Sequence, residues 1–362
     1  MTSTQTLQQT GPHMTRPGSR PGTTMNDVAA AAGVSQATVS LVLNDAAGTR
    51  FSEETRHRVH AAAHQLGYRT NAHAKVLRDG VAGMLGFVGD FVATAPFAGT
   101  IIEGAQARAG EAGLLLLTVN TGGDKALEAA SLETMLSYKV AGVVYAAMEH
   151  RVLDVPDVLA EVPAVVLNSR DRSGRFPSFV PQEELGGYTA TKRLLDAGHR
   201  RIAMINIGAV DSELPAVVGR YAGHLRALEE AGIRADPRLH RSGDGHESSG
   251  FTNAVALMAE PRPPTAIFCA SDRTAWGAYQ ALARLGVSIP HDVSLVGFDN
   301  QETLAPHLRP GLTTLQLPFL EMGRRAVELI LAGADRDGST EYFECPLVER
   351  HSVAPPKSTS CH

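Results

Sequence analysis

The chain has 362 residues, 43% of them hydrophobic and 20% charged, with a formal net charge of −5. That length holds two or three domains, and that composition excludes a chain disordered throughout. Because no run of about 18 consecutive apolar residues occurs, no transmembrane helix is expected, and Cys269, Cys345 and Cys361, without Cys-x-x-Cys spacing, give neither a disulfide framework nor a zinc knuckle.

The charge is unevenly spread. Residues 1–80 carry eight Lys/Arg against five Asp/Glu, and the remainder carries 25 against 33, so the two parts stand at +3 and −8. A positive head suits phosphate binding, while an acidic body discourages indiscriminate adsorption to nucleic acid.

Residues 1–23 are rich in Thr, Ser, Gly, Gln and Pro, with no apolar core of the kind a secretory signal needs, and read as a disordered tail. A short helix is expected over 26–31, with Asp27 at its positive end and Val28, Ala29 and Ala32 on one apolar face. Gly33 ends it, and Ser35 is placed to cap a second helix over 36–43. Val39 and Val42 face inward there, which leaves Gln36, Ala37, Thr38, Ser40 and Leu41 outward, side chains short enough for close approach to a duplex. A third helix starts at Ser52-Glu53-Glu54-Thr55 and is expected to bury Val59, Ala62, Ala63 and Leu66. His57, His60 and His64 share one side of it, but with no carboxylate or cysteine at ligand spacing they read as a solvated face, and no metal is expected. Residues 71–78 form a further helical turn or two, too short to stand alone in water.

From residue 83 short apolar runs alternate with amphipathic stretches, the pattern of βαβ units around parallel sheets. Strands are expected at 83–89, 114–120, 140–146 and 162–168, with helices at 98–110 and 125–138. A second set follows, with strands at 202–207, 266–269 and 293–296 and helices at 185–197, 217–230, 249–258 and 273–285. Residues 312–315 then precede a helix over 318–331, and 342–353 is extended. No Gly-x-Ser-x-Gly elbow, phosphate-cradling Gly-rich loop with Lys-Ser/Thr, or His-Glu-x-x-His helix occurs, so an enzyme is not expected.

Seven short motifs follow one another in the first part: Asp27-Val28-Ala29, Ala32-Gly33-Val34-Ser35, Thr38-Val39-Ser40, Val42-Leu43-Asn44, Ser52-Glu53-Glu54-Thr55-Arg56, Leu66-Gly67-Tyr68 and Asn71-Ala72. In that order they resemble the DNA-binding headpiece and hinge of the LacI family of bacterial transcription regulators. Ala197-Gly198-His199-Arg200-Arg201-Ile202, Arg220-Tyr221-Ala222-Gly223, Ser271-Asp272, Ile289-Pro290 with Val293 to Asp299, and Leu312-Thr313-Thr314 extend the resemblance to residue 353.

The resemblance implies a small all-α helix-turn-helix headpiece (24–70) with a hinge helix (71–80), followed by a two-lobe α/β body like a periplasmic binding protein (81–353). The first lobe is expected over 81–181 and 312–340, the second over 182–311 and 341–353, with a flexible tail at 354–362. By position, Gln36, Ala37 and Leu41 would read base edges in the major groove, and Gln36 suits a bidentate bond to adenine. Thr24, Ser35, Thr38, Ser40 and Asn44 would hold phosphates. At the hinge, Leu77 would wedge into the minor groove, with Asn71, Lys75 and Arg78 beside it. The effector set would be Asp90, Phe97, Asn168, Arg220, His246, Asp272 and Asp299, suited to a sugar or related polyol, and less well to a purine-like ligand for want of a stacking ring. Ser271, Gly245 and Pro181-Gln182 depart from the family pattern.

The implied partners are a near-palindromic double-stranded DNA operator, a small effector and a second copy in a homodimer, with no cofactor, and the implied place of action is the cytoplasm, at the nucleoid. A solute-binding transport component is not expected, since a DNA-reading headpiece has no use there and no export signal precedes residue 24.

Overall fold

The computed structural model describes residues 23–43, 51–68, 83–94, 98–333 and 337–357. The chain divides into two units, one ending at residue 79 and one beginning at residue 80.

Among its described residues, the first unit has three helices around a very small core. Helix α1, Met25–Ala32, opens with a reciprocal cap: the Thr24 amide donates to Asp27 Oδ2 at 2.7 Å, and the Asp27 amide donates to Thr24 Oγ1 at 3.4 Å. It closes at Gly33, whose φ of 63° turns the chain sharply enough for α2, Gln36–Leu43, to follow after two residues. Ser35 Oγ accepts from the Thr38 amide at 3.1 Å and so starts α2, and Ser52 Oγ does the same for α3, Glu53–Gln65, through the Thr55 amide at 3.2 Å. Val28, Val39, Val42 and Val59 pack with four alanines between the helices. Leu66, expected in this core, is 39% exposed. It is the C-cap of α3, beyond the last full turn, and its carbonyl accepts from Thr23 Oγ1 at 2.8 Å.

The second unit holds two six-stranded sheets. The first contains β1 (Met84–Gly89), β2 (Leu115–Asn120), β3 (Val143–Leu153), β4 (Ala164–Asp171), β5 (Ser178–Pro181) and β11 (Thr340–Phe343), in the order β11-β5-β4-β3-β1-β2. The second contains β6 (Ile202–Asn206), β7 (His240–Ser242), β8 (Ala266–Cys269), β9 (Ser294–Asp299), β10 (Thr313–Gln316) and β12 (Leu347–Val348), in the order β12-β10-β9-β8-β6-β7. Neighbours run parallel throughout, except β12, which is antiparallel to β10. The central strands are apolar on both faces, as in β6, where every residue is buried, because helices cover both sides.

Those helices are α4 (Gly99–Glu111), α5 (Lys125–Ser137), α6 (Glu183–Asp196), α7 (Pro215–Glu230), α8 (Glu247–Met258), α9 (Asp272–Arg284) and α10 (Phe319–Leu331). Three pairs pack backbone to backbone through glycine. A Cβ on Gly187 or Gly223 would collide with the main chain across the α6/α7 contact, and one on Gly104 or Gly323 would do so across α4/α10. Gly250 and Gly277 play the same part between α8 and α9.

The lobe boundaries differ from those expected. β10 lies in the second sheet and β11 in the first, so the chain crosses after residues 181, 316 and 343 instead of after 181, 311 and 340. The reason is pairing: Thr313 to Gln316 run beside Val296 to Asp299, whereas Thr340 to Phe343 run beside Ser178 to Pro181.

Candidate functional site

On the headpiece, α2 presents Gln36, Ala37 and Leu41 to solvent, with Leu41 37% exposed, while Val39 and Val42 anchor the opposite face. The hydroxyls around this face are already engaged within the unit. Thr24 Oγ1 donates to Asp27 Oδ2 at 2.7 Å, and Ser35 Oγ and Thr38 Oγ1 share a hydrogen bond of 2.9 Å. Such short-range bonds hold the hydroxyls at the helix starts, where amide groups and side chains face outward together. Ser40 is half-buried, and His57, His60 and His64 are all exposed on α3. Asn44, Asn71, Lys75, Leu77 and Arg78 lie outside the described residues, as does Phe97 of the effector set.

In the body, a cavity of about 480 Å³ lies between the lobes where strands of both sheets end. The first lobe contributes Phe91 and Thr94 after β1, Met148 and His150 from β3, Asn168 from β4 and Phe319 at the start of α10. The second contributes Glu183 from α6, Val217 and Arg220 from α7, Gly245 and His246 before α8, Ser271 and Arg273 around the start of α9, and Asp299 at the end of β9. Apolar rings and polar groups therefore meet in one concave site, the make-up of a small-molecule pocket.

Arg220 is the centre of the polar side. Its side chain is 5% exposed, its Nε donates to Glu183 Oε2 at 2.8 Å, and its Nη1 donates to the Ala270 carbonyl at 2.6 Å. Nη1 also lies 3.8 Å from Asp299 Oδ1, and the guanidinium stacks over the Phe298 ring at 3.7 Å from its centre. Among the described residues, Nη2 has no hydrogen-bond partner. Burial pushes the Glu183 carboxyl up, but Arg220 and His150 outweigh it and hold the group below the usual glutamate range. Burial likewise pushes Asp299 up, to about 6, with Arg220 restraining the rise. His150 Nδ1 lies 3.3 Å from Glu183 Oε1, so one ion pair in the second lobe is touched directly by the first.

Four of the sequence-predicted effector residues, Asn168, Arg220, His246 and Asp299, come together at this cavity. Two do not. Asp90 turns away to accept from the Phe91 and Met148 amides at 2.6 and 2.8 Å and to pair with Arg151 Nη2 at 2.6 Å, tying the ends of β1 and β3. Asp272 is fully buried, and accepts from Thr314 Oγ1 at 2.6 Å and from the Gln301 amide at 2.7 Å, so that it joins α9 to β10 and to the chain after β9. Burial, and then Asp299, push its carboxyl well up. Asp272 does not cap α9 either, because Ser271 Oγ accepts from the Thr274 amide at 3.1 Å. His246 Nδ1 accepts from Arg273 Nη2 at 2.5 Å.

Sequence reasoning missed Glu183, His150 and Arg273. Glu183 had a signal, since it directly follows Pro181-Gln182, the segment that departs from the family pattern. For His150 no periodicity pointed at the cavity, because β3 continues seven residues beyond where its apolar run suggested it would stop.

A helix-turn-helix unit joined in one chain to a two-lobe body with a polar interlobe cavity defines a ligand-responsive DNA-binding regulator. Comparison with known proteins agrees: residues 24–71 match the model of bacterial regulatory proteins, lacI family, and residues 191–353 match a periplasmic binding protein-like domain. The chain is 33% identical over 345 residues to the HTH-type transcriptional regulator GalR of Escherichia coli K12, covering 94% of this chain and 98% of that one. Among solved structures, the Lac repressor dimer bound to operator and the anti-inducer ONPF aligns with a TM-score of 0.75 at 27% identity, over 92% of this chain and 99% of that one. A complex of the transcriptional regulator CelR with cellobiose aligns at 0.63 and 30%, over 92% and 100%. The chain belongs to the LacI family, and is a DNA-binding transcriptional repressor with an effector-binding domain and no enzymatic role.

Proposed function

We propose that this repressor acts as a homodimer on a near-palindromic operator and that a sugar, bound in the interlobe cavity, sets its affinity for DNA. The observation that carries the reading is the cavity itself, which Arg220, Asp299, His246 and Asn168 line together with Phe91 and Phe319. Donors, acceptors and apolar faces in one pocket suit a ring bearing several hydroxyls. The similar regulator CelR binds cellobiose. The dimer reading draws support from β2, the outer strand of the first sheet, where Leu115 is 72% exposed and Leu117 is exposed beside it.

At the DNA, Gln36, Ala37 and Leu41 read bases, while Thr24, Ser35, Thr38, Ser40 and Asn44 hold phosphates and set register. Leu77, flanked by Asn71, Lys75 and Arg78, enters the minor groove at the operator centre. The site of action is the cytoplasm, at the nucleoid. Because DNA and effector act on one conformational equilibrium, each changes the affinity of the other by the same factor.

The test is selection of an operator from random duplex DNA with the full chain, followed by titration of that operator with and without each member of a sugar panel. The expected outcome is a selected sequence with two-fold symmetry and a sugar that shifts operator affinity at least tenfold. A selected site without symmetry, or affinity indifferent to every sugar while a nucleobase shifts it, would overturn the dimer and sugar readings respectively. Within the same assay, Leu77→Ala is expected to weaken specific binding more than nonspecific binding.

A further inference from the structure

The cavity contains an ion pair that is complete before any ligand arrives. Glu183 and Arg220 are 4% and 5% exposed in their side chains, and the Oε2 to Nε distance is 2.8 Å. The other guanidinium on the lining, Arg273, is bonded to His246 Nδ1 and to Glu247 Oε2, the latter at 3.4 Å. Against these two cations the lining carries four carboxylates, Glu149, Glu183, Asp244 and Asp299. The positive groups that would attract an anion are thus matched by the protein's own acids, and carboxylates remain in excess. A phosphate or carboxylate entering this site would meet a guanidinium already neutralised and would lie among like charges, in surroundings where the low dielectric strengthens repulsion. A hydroxyl suffers no such penalty. It can accept from Arg220 Nη2, which has no partner among the described residues, and donate to Asp299.

We propose that Glu183 is a specificity-determining residue: by neutralising Arg220 from within the protein, it makes the cavity select an uncharged, polyhydroxylated effector and reject its phosphorylated counterpart. The proposal rests on the reading of the interlobe cavity as the effector site. It assigns to Glu183 a task that its packing alone does not require. Glu183 is also the one carboxylate on the lining bonded from both lobes, by Arg220 in the second and His150 in the first, so its charge is held at the point where the lobes meet.

The experiment uses the full-length chain and matched probe pairs, glucose with glucose 6-phosphate, ribose with ribose 5-phosphate, and galactose with galactose 1-phosphate, each titrated calorimetrically and by thermal shift. Wild type is expected to bind the free sugar of at least one pair at least tenfold more tightly than its phosphate. Glu183→Gln, which keeps the shape and removes the charge, is expected to move that ratio at least tenfold toward the phosphate. Glu183→Asp is expected to keep the wild-type preference, and so controls for loss of fold or of packing. Should wild type take a sugar phosphate as tightly as the free sugar, or should the ratio be the same in Glu183→Gln and wild type, the proposal is overturned while the effector reading survives. If no probe, free or phosphorylated, binds wild type in competition with Arg220 and Asp299 substitutions, the effector reading itself fails, and this inference with it.

Discussion

Asn168 and Asp299 occupy the third strand in the order of each sheet, β4 in the first lobe and β9 in the second, and both hold positive φ, 52° and 109°. Non-glycine residues enter that region only where the surroundings compel them, and it is common at binding sites. Yet the two side chains do different work. Asn168 Nδ2 donates to the Ala147 and Met148 carbonyls at 3.1 and 2.8 Å, and so stitches the first lobe to itself. Asp299 keeps its carboxylate beside Arg220 and within 3.2 Å of Gln301 Nε2. The same fold, built twice, has turned one copy toward rigidity and the other toward charge. The lobes therefore differ in function through strand-end chemistry, with both cavity guanidinium groups and most of its acids in the second, while the first supplies rings and His150.

The largest effect that would sharpen this contrast is loss of Arg220. In Arg220→Ala the Glu183 carboxylate stays buried without its cation, and stability to denaturant is expected to fall by about 3–5 kcal/mol. Asn168→Ala in the first lobe leaves no charge unpaired, and is expected to cost nearer to 1–2 kcal/mol, the scale of buried amide hydrogen bonds. Equal losses in the two variants, measured by urea unfolding of the full chain, would break the assignment of charge to one lobe and scaffold to the other.

Next in size, the helix contacts test whether the lobes are mechanically alike. Gly223→Ala places a Cβ against the Glu184 carbonyl in the second lobe, and Gly323→Ala places one against the Ile101 carbonyl in the first. Each is expected to cost roughly 1–3 kcal/mol through overpacking, offset only in part by the helix preference of alanine. A loss in one lobe alone would show that only one helix pair needs backbone contact.

How much of this was legible in the sequence follows the same division. Local order was: Asp27, Gly33, Ser35 and Ser52 stand where helix-end and turn chemistry place them, and the strands follow apolar runs, although the part Thr24 plays in capping α1 with Asp27 went unread. What escaped were pairings between distant segments. Thr313 to Gln316 and Glu341 to Phe343 exchanged lobes because strand register, absent from any local pattern, decides which sheet takes them. Asp90 and Asp272 look, in sequence, like any acid at a strand end or helix start. Only the fold shows that amides and a hydroxyl have already consumed their lone pairs. Glu183 lies 37 residues from Arg220, and nothing in the spacing pairs them.

A smaller effect lies in the pH response of the second lobe. Asp299, pushed up to about 6 by burial, is largely ionised at pH 7.5 and largely protonated at pH 5. If it serves as a hydroxyl acceptor, the affinity for a bound sugar is expected to fall roughly tenfold over that range, the change in its ionised fraction. Asp299→Asn should bind more weakly at pH 7.5 and respond little to pH. A wild-type affinity that is flat between pH 5 and 7.5 would remove Asp299 from the acceptor role.

The smallest predicted effect separates Asp272 from its neighbour. Its folded carboxyl titrates well above the ordinary 3.8, so the folded chain keeps a proton that the unfolded chain has released. Folded-state proton excess means that stability falls as pH rises, from about pH 4 upward through the raised value, with the full deficit present above it. Asp272→Asn carries no such proton. Its amide oxygen can accept from the Gln301 amide as Asp272 does, and the Thr314 hydroxyl can rotate to accept from the new NH₂, so both contacts persist. The variant is therefore expected to melt near wild type at about pH 4 and increasingly above it as pH rises, a difference between the two proteins that grows with pH. A constant or shrinking difference would mean that Asp272 is ionised in the fold and that the hydroxyl and amide around it stabilise a charge, which would give the second lobe a further anion where burial argues for a neutral acid.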